Sequence, residues 1–167
     1  LCDTASPQAQ RARSVNTIVF RDGRRHGETT DGVGFLDLLR ALGLAPERQR
    51  VVLLGAGGAV RSLAWALHDA GVAALHASAR TRPTGEQAWG DALESCLVDW
   101  RSAAEAEALR GATVVVNGTP LAGTTFPLEP SAIPHGALVV DLTYGPEPTP
   151  WVLACRASGL RAIDGLG

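Results

Sequence analysis

The 167-residue sequence contains no methionine, not even at position 1, and no lysine. The first absence makes the chain read as a piece of a longer one. The second makes every Lys/Arg position an arginine. Cysteine is scarce: Cys2, Cys96 and Cys155 stand far apart and form no metal-ligand spacing. That fits a reducing, cytoplasmic setting. His26, His68, His76 and His135 are equally isolated and read as surface or packing residues, so no metal is expected. There is no polybasic run and the formal net charge is −2, which makes nucleic acid and anionic membranes poor partners. No apolar run is long enough to span a bilayer, and no signal peptide is visible.

What is present is the composition of a globular protein, 46% hydrophobic by residue. The length allows one domain with a real core, or one domain and part of another. Residues 15–28 predict a hairpin, with "VNTIVF" and "RRHGE" joined by the turn "RDG". Residues 33–43 predict a helix with Phe35, Leu38, Leu39 and Leu42 on one face and Gly43 at its end. The polar stretch "APERQR" follows, and a domain boundary is placed there, near residue 46.

Beyond it, strand and helix patterns alternate. Strands are expected at 50–55, 73–79, 96–100, 112–119, 136–144 and 161–164. Helices are expected at 57–71, 84–95, 102–110 and 149–159, the last with Thr149 as N-cap, Pro150 at its first position and Gly159 at its end. "RVVLLG" has no polar alternation, as suits a parallel strand covered on both faces. The fold class is therefore α/β, a Rossmann-like doubly wound parallel sheet.

"GAGGAV" (55–60) follows a strand and opens a helix, the setting a nucleotide-binding glycine turn requires. Gly55 makes the tight turn. Gly57 lets the backbone approach a pyrophosphate, which free N–H groups at the helix start then hold. The sixth position is Val60, where the usual fingerprint has Gly or Ala. About twenty residues on, an NAD site carries an acid for the ribose 2′-hydroxyl. Here the sequence is "SARTR" (78–82), with Arg80 and Arg82 flanking Thr81. Guanidinium groups pair with phosphate in bidentate fashion, so the expected cofactor is NADP(H).

The chain resembles the shikimate dehydrogenase family over most of its length. "SVNT" (14–17) is similar to the family's "AVNT", and "GETTDGVGF" (27–35) to its "G-x-NTDG-x-GF". "GAGGAV-R" (55–61) is similar to "GAGGA-x-R", and "ARTR" (79–82) stands for its "NRT" stretch. "VVNGTPLAG" (115–123) resembles "INATPLGM". "DLTYGPEPTP" (141–150) resembles "D-x-x-Y-x-P-x-x-TP", and "DGLG" (164–167) resembles the start of "DGLGM".

The resemblance implies reversible hydride transfer between NADPH and 3-dehydroshikimate, giving shikimate on the route to chorismate and the aromatic amino acids. It implies that Asn16, Asp31 and Tyr144 contact substrate, with Tyr144 near its carboxylate. Asp31 would belong to a catalytic Lys–Asp pair, although position alone also suits a cap for the helix at 33–43. Gly55, Ala56, Gly57, Gly58 and Ala59 would hold the pyrophosphate. Ala79, Arg80, Thr81, Arg82 and Thr84 would sit at the 2′-phosphate, and Leu142 and Gly165 beside the nicotinamide. Residues 1–45 would be the end of a substrate-binding domain with a connecting helix, and 46–167 the NADP-binding domain.

Thr29, Ala79 and the "PLAG" turn depart from the family pattern, and Thr29 keeps quinate or a related acid open as substrate. The family's catalytic lysine precedes "AVNT", and this sequence has no lysine, so the chain alone is expected to be inactive or very slow. The expected partner is a small-molecule substrate, with a homodimer left open. A non-catalytic NADP-binding module is the alternative. A methylene-tetrahydrofolate dehydrogenase fits less well, because it does not account for "TTDGVGF" and "DLTYGPEPTP" together.

Overall fold

The computed structural model describes residues 2–85, 89–121 and 125–165. It has two sheets. Six parallel strands form the larger: β4 (Arg50–Leu54), β5 (Ala74–Ala79), β6 (Leu97–Asp99), β7 (Val114–Asn117), β8 (Leu138–Asp141) and β9 (Arg161–Asp164). Their order is β6-β5-β4-β7-β8-β9. The chain starts in the middle, winds to one edge, then returns and winds to the other. This is the doubly wound Rossmann-like order, and it leaves a crevice at the carboxyl ends of β4 and β7, where the winding reverses.

Strand residues point alternately to the two faces, and each face has its own core. Val51, Leu53, Val114, Val116, Leu138 and Val140 pack on one side, under α2 (Asp31–Ala41) and α3 (Gly58–Asp69). Val52, Leu54, Val115 and Val139 pack on the other, under α5 (Ala103–Arg110) and α6 (Pro150–Ala157). Coverage of both faces is why these strands carry no polar alternation. The helix faces agree with the sequence pattern: Val60, Leu63, Ala64 and Leu67 of α3 are all buried, as are Phe35 and Leu39 of α2. Because α2 shares this core, the helix after the hairpin packs on the larger sheet although it precedes the expected boundary near residue 46.

The smaller sheet holds β1 (Thr4–Ala5), β2 (Thr17–Arg21) and β3 (Arg24–Glu28) in the order β1-β3-β2. The hairpin forms as the sequence predicts. Asp22 (φ 50°) and Gly23 (φ 71°) both adopt left-handed backbone, which suits a two-residue turn joining right-twisted strands. β1 and the helix α1 (Pro7–Ala12) are additions to the sequence reading. Their signal was "SPQ": the Ser6 hydroxyl accepts the Ala9 N–H, and Pro7 sits in the first turn.

Two expectations change. The helix expected over 84–95 is only α4, Asp91–Glu94, among the described residues, and positions 86–88 lie outside them. Gly85 (φ 56°) and Gly90 (φ 82°) hold left-handed backbone that a helix cannot continue through. The strands expected at 112–119 and 136–144 stop at Asn117 and Asp141, whose side chains turn to bind the following loops. Parts of two quoted motifs, residues 122–123 of "VVNGTPLAG" and 166–167 of "DGLG", lie outside the described residues. Among the described residues no helix is long and apolar enough to cross a membrane.

Candidate active site

Residues from four separate segments meet at the carboxyl ends of the parallel strands. A cleft of about 460 Å³ is lined by Asp31 and Phe35 of α2, Ala59 and Leu63 of α3, Leu142 and Tyr144 after β8, and Asp164 and Gly165 at the end of β9. Its floor is apolar, and polar groups stand at its rim.

Asp31 is the first residue of α2, and the N-cap position belongs to Thr30, which makes no side-chain cap. The capping role open to Asp31 is thus not the one the structure gives it. Its Oδ1 accepts a 2.6 Å hydrogen bond from Asn16 Nδ2. Asn16 also donates to Thr30 Oγ1 at 3.1 Å and accepts the Thr30 N–H at 3.2 Å. The residue before the hairpin is thereby clasped to the first turn of α2, and the carboxylate is oriented at the cleft. A carboxylate in a first helical turn is also favoured by the helix dipole. Tyr144 is 67% exposed at the rim, its ring beside the backbone of Gly165.

The glycine turn has the geometry a nucleotide phosphate needs. Gly55 has φ +110°, and a Cβ there would lie 3.1 Å from the carbonyl oxygen of Gly118, so only glycine fits. Gly57 caps α3 without a side-chain partner, and a Cβ built on it meets nothing within 4 Å. The first turn of α3 therefore presents its N–H groups beside open space, and no acidic side chain competes there. Ala56, Gly58 and Ala59 complete the turn. Gly58 is closed over by Ser14, whose hydroxyl occupies the place of a Cβ.

No protein-family model matches the chain. A curated shikimate dehydrogenase (NADP(+)) from Gluconobacter oxydans is 39% identical over 174 aligned positions, covering 99% of this chain and 60% of that protein. The solved structure of the Thermus thermophilus enzyme in complex with NADP(H) and shikimate superposes with a TM-score of 0.77 at 35% identity, over 99% of this chain and 61% of that one. Quinate dehydrogenase from Corynebacterium glutamicum, solved with NAD, gives a TM-score of 0.77 at 29% identity, over 99% and 61%. The chain is a relative of the shikimate dehydrogenases. It spans about 60% of the length of the curated relatives it matches.

Set beside those shikimate dehydrogenases, the residues expected at the 2′-phosphate fall into two groups. Arg80, Thr81 and Thr84 are exposed after β5, and Arg80 has no hydrogen-bond or ion-pair partner among the described residues. Ala79 is buried and offers only its backbone. Arg82 is engaged elsewhere: its Nε donates to Asp99 Oδ1 at 3.0 Å, its Nη2 to the Leu97 carbonyl at 3.1 Å, and Glu94 lies 3.5 Å away. Of these two guanidiniums, that of Arg80 is the one without such a partner among the described residues. Thr29, the departure that kept quinate open, points away from the cleft and donates to Ser62 Oγ on α3 at 3.0 Å.

Two supporting contacts escaped the sequence reading. Arg61 is buried on α3, and its guanidinium donates to the carbonyls of Ala12 and Arg13 at the end of α1. Burial, with Arg13 nearby, lowers its basicity from the ordinary arginine value. Asn117 and Asp141, both fully buried, hydrogen-bond to each other at 3.0 Å. For the second contact the available signal was a polar residue ending an otherwise apolar buried strand, Asn117 on β7 and Asp141 on β8.

Proposed function

We propose that the chain is the NADP-binding part of a shikimate dehydrogenase, with the last strands of its substrate-binding domain at residues 1–45. The reaction would be reversible hydride transfer between NADPH and 3-dehydroshikimate. The observation that carries this reading is the convergence of Asp31, held by Asn16, with Tyr144, Leu142 and Gly165 on one cleft beside the glycine turn. The relative solved with NADP(H) and shikimate supports it.

When bound, the cofactor would supply the hydride. Residues 55–59 would take its pyrophosphate on the first turn of α3, Arg80 with Thr81 and Thr84 its 2′-phosphate, and Leu142 and Gly165 would border its nicotinamide. Asn16 and Tyr144 would orient the substrate, Tyr144 at its carboxylate. Reduction of a ketone builds negative charge on the carbonyl oxygen, which must receive a proton. Asp31 would order that transfer together with a lysine. The sequence contains no lysine, so this polypeptide alone is expected to bind NADPH yet turn over shikimate very slowly or not at all. Because Thr29 faces Ser62 and not the cleft, it gives no ground for preferring quinate. A cytoplasmic location and the absence of nucleic-acid and membrane partners belong to the same proposal, and a homodimer stays open within it.

The test is a fluorescence titration of the chain with NADPH and NADH. NADPH should bind at least about tenfold more tightly, roughly 1.4 kcal/mol, and Arg80→Glu should abolish that preference. Equal affinities in the parent chain would overturn the cofactor assignment. For the chemistry, the chain would be joined to the preceding segment of the Gluconobacter oxydans relative. In that protein Asp31→Asn should cut kcat by about 10²-fold or more with little change in stability. Near-normal turnover would leave Asp31 no role in proton transfer.

A further inference from the structure

Asp141 ends β8, directly before the cleft residue Leu142, and is fully buried. Nothing in the proposed reaction uses its carboxylate. Its partners explain why a polar side chain is kept there. Oδ1 accepts from Asn117 Nδ2 and from the Thr143 N–H, each at 3.0 Å, and Oδ2 accepts from Thr149 Oγ1 at 2.7 Å. The loop between β8 and α6 is thus pinned near both ends by one carboxylate. Tyr144 rides on that loop, and Thr149 is the residue that caps α6.

Through Asn117 the same carboxylate reaches the loop after β7. Asn117 Oδ1 accepts the Thr119 N–H at 2.9 Å and the Thr119 hydroxyl at 2.7 Å, while Thr119 Oγ1 accepts the Leu121 N–H at 3.2 Å. That loop abuts the glycine turn: the Gly118 carbonyl and the Thr119 methyl are the near neighbours of Gly55. Two loops on either side of the crevice therefore share one buried anchor. Hydrogen bonds in a water-excluded site are strengthened by the low local dielectric, so a buried side chain with three donors on it fixes loops more tightly than their own turns would.

We infer that Asp141, acting through Asn117 and Thr149, is a positioning residue that sets the two loops bordering the nicotinamide half of the cofactor. This rests on the NADP reading above. It predicts a split: removing the anchor should weaken grip on the nicotinamide half and leave the adenosine 2′-phosphate half, held at Arg80, untouched. The experiment is calorimetric titration of the chain with NADPH and with adenosine 2′,5′-bisphosphate, which lacks the nicotinamide half.

The parent chain should bind NADPH more tightly than the bisphosphate. In Asp141→Ala the NADPH affinity should fall at least tenfold while the bisphosphate affinity stays within twofold. Asp141→Asn, which keeps one acceptor oxygen for Asn117 and Thr143, should recover part of the loss. Thr119→Val removes only the loop end of the network and should cost a few-fold for NADPH alone, and it decides the matter if Asp141→Ala does not fold. The inference is overturned if the variants keep the full NADPH advantage, or if both ligands weaken together as a purely structural defect would make them. A parent chain that binds neither ligand would instead overturn the cofactor reading itself, and this inference with it.

Discussion

The two sheets of this protein use similar side chains and come to opposite ends. In the six-stranded sheet, Val51 to Leu54, Val114 to Val116 and Leu138 to Val140 are buried on both faces. In the three-stranded sheet, every residue of β2 is exposed, with Ile18 at 47% and Phe20 at 76%. A Val-Ile-Phe strand acquires stability only where another layer covers it, since burying such a side chain is worth about 1.5–3 kcal/mol relative to leaving it exposed. The larger sheet has helices on both sides. The smaller one touches α1 through β3, its middle strand, and leaves its outer strand β2 open. What holds it is polar: the Asp3–Arg25 ion pair, the His26 contacts to Thr4 and Glu28, and the Asn16 clasp on α2. Local pairing can make a hairpin, but only layering makes a core.

The strongest way to break this contrast is a pair of truncations. Leu53→Ala, at a fully buried site, should cost about 2–5 kcal/mol, read from urea denaturation. Phe20→Ser should change stability by less than about 0.5 kcal/mol. Equal losses would mean that the exposed strand is not a separate energetic case.

A somewhat smaller effect is expected at Gly118→Ala. A Cβ there would run into Val60 Cγ2 on α3, with Leu142 Cδ1 and the Leu54 carbonyl at 3.5 Å, so the loop and helix must part. Overpacking of this kind costs about 1–3 kcal/mol, and NADPH affinity should fall with it. An unchanged melting temperature would show that the junction is looser than it looks.

Thiol chemistry sharpens the comparison without altering stability. Burial, with a smaller contribution from the Asp141 charge, pushes the Cys155 thiol up to about 11. Cys155 lies fully inside the α6 core, whereas Cys2 is half-buried beside the small sheet. Iodoacetamide at pH 8 should label Cys2 in the native protein and reach Cys155 only on unfolding. Mass spectrometry of the labelled peptides reads the order, and simultaneous labelling would contradict it.

The smallest effect is the pH response of β1. The Arg25 side chain, then its backbone N–H, hold the Asp3 carboxyl down at about 2, below its ordinary 3.8. A depressed folded value means the contribution is present above pH 3.8 and is lost as pH falls through about 2. Hydrogen exchange in residues 3–5 should quicken over that window while the amides of β4 and β7 do not respond. A uniform response would tie the two sheets into one cooperative unit.

Much of the fold was legible because its signals are local. The glycine turn at 55–60, the caps at Thr149 and Gly159, and the apolar runs of β4, β7 and β8 each announce themselves within a few residues. The cleft residues Asp31, Leu142, Tyr144 and Gly165 were nameable from motifs, though 110 or more positions separate the first from the rest. The contacts that the motifs could not supply are cross-chain ones. Arg82 reads like Arg80 in "SARTR", yet Asp99 and Glu94 arrive from β6 and α4 to occupy it. Thr29 reads as a cleft residue beside Asp31, yet Ser62 on α3 claims its hydroxyl.

The sequence by itself determined that alternating apolar strands and amphipathic helices would build a parallel sheet, and that a glycine turn would open its central helix. Periodicity and backbone preference act over a few residues and need no partner. Only the tertiary structure decided which of the two guanidiniums stays unpaired among the described residues, which side chain Thr29 meets, and that one buried carboxylate at Asp141 ties two loops together. Those outcomes depend on which side chains arrive from distant strands. Once a charge or hydroxyl leaves water, its behaviour is set by the partner that meets it.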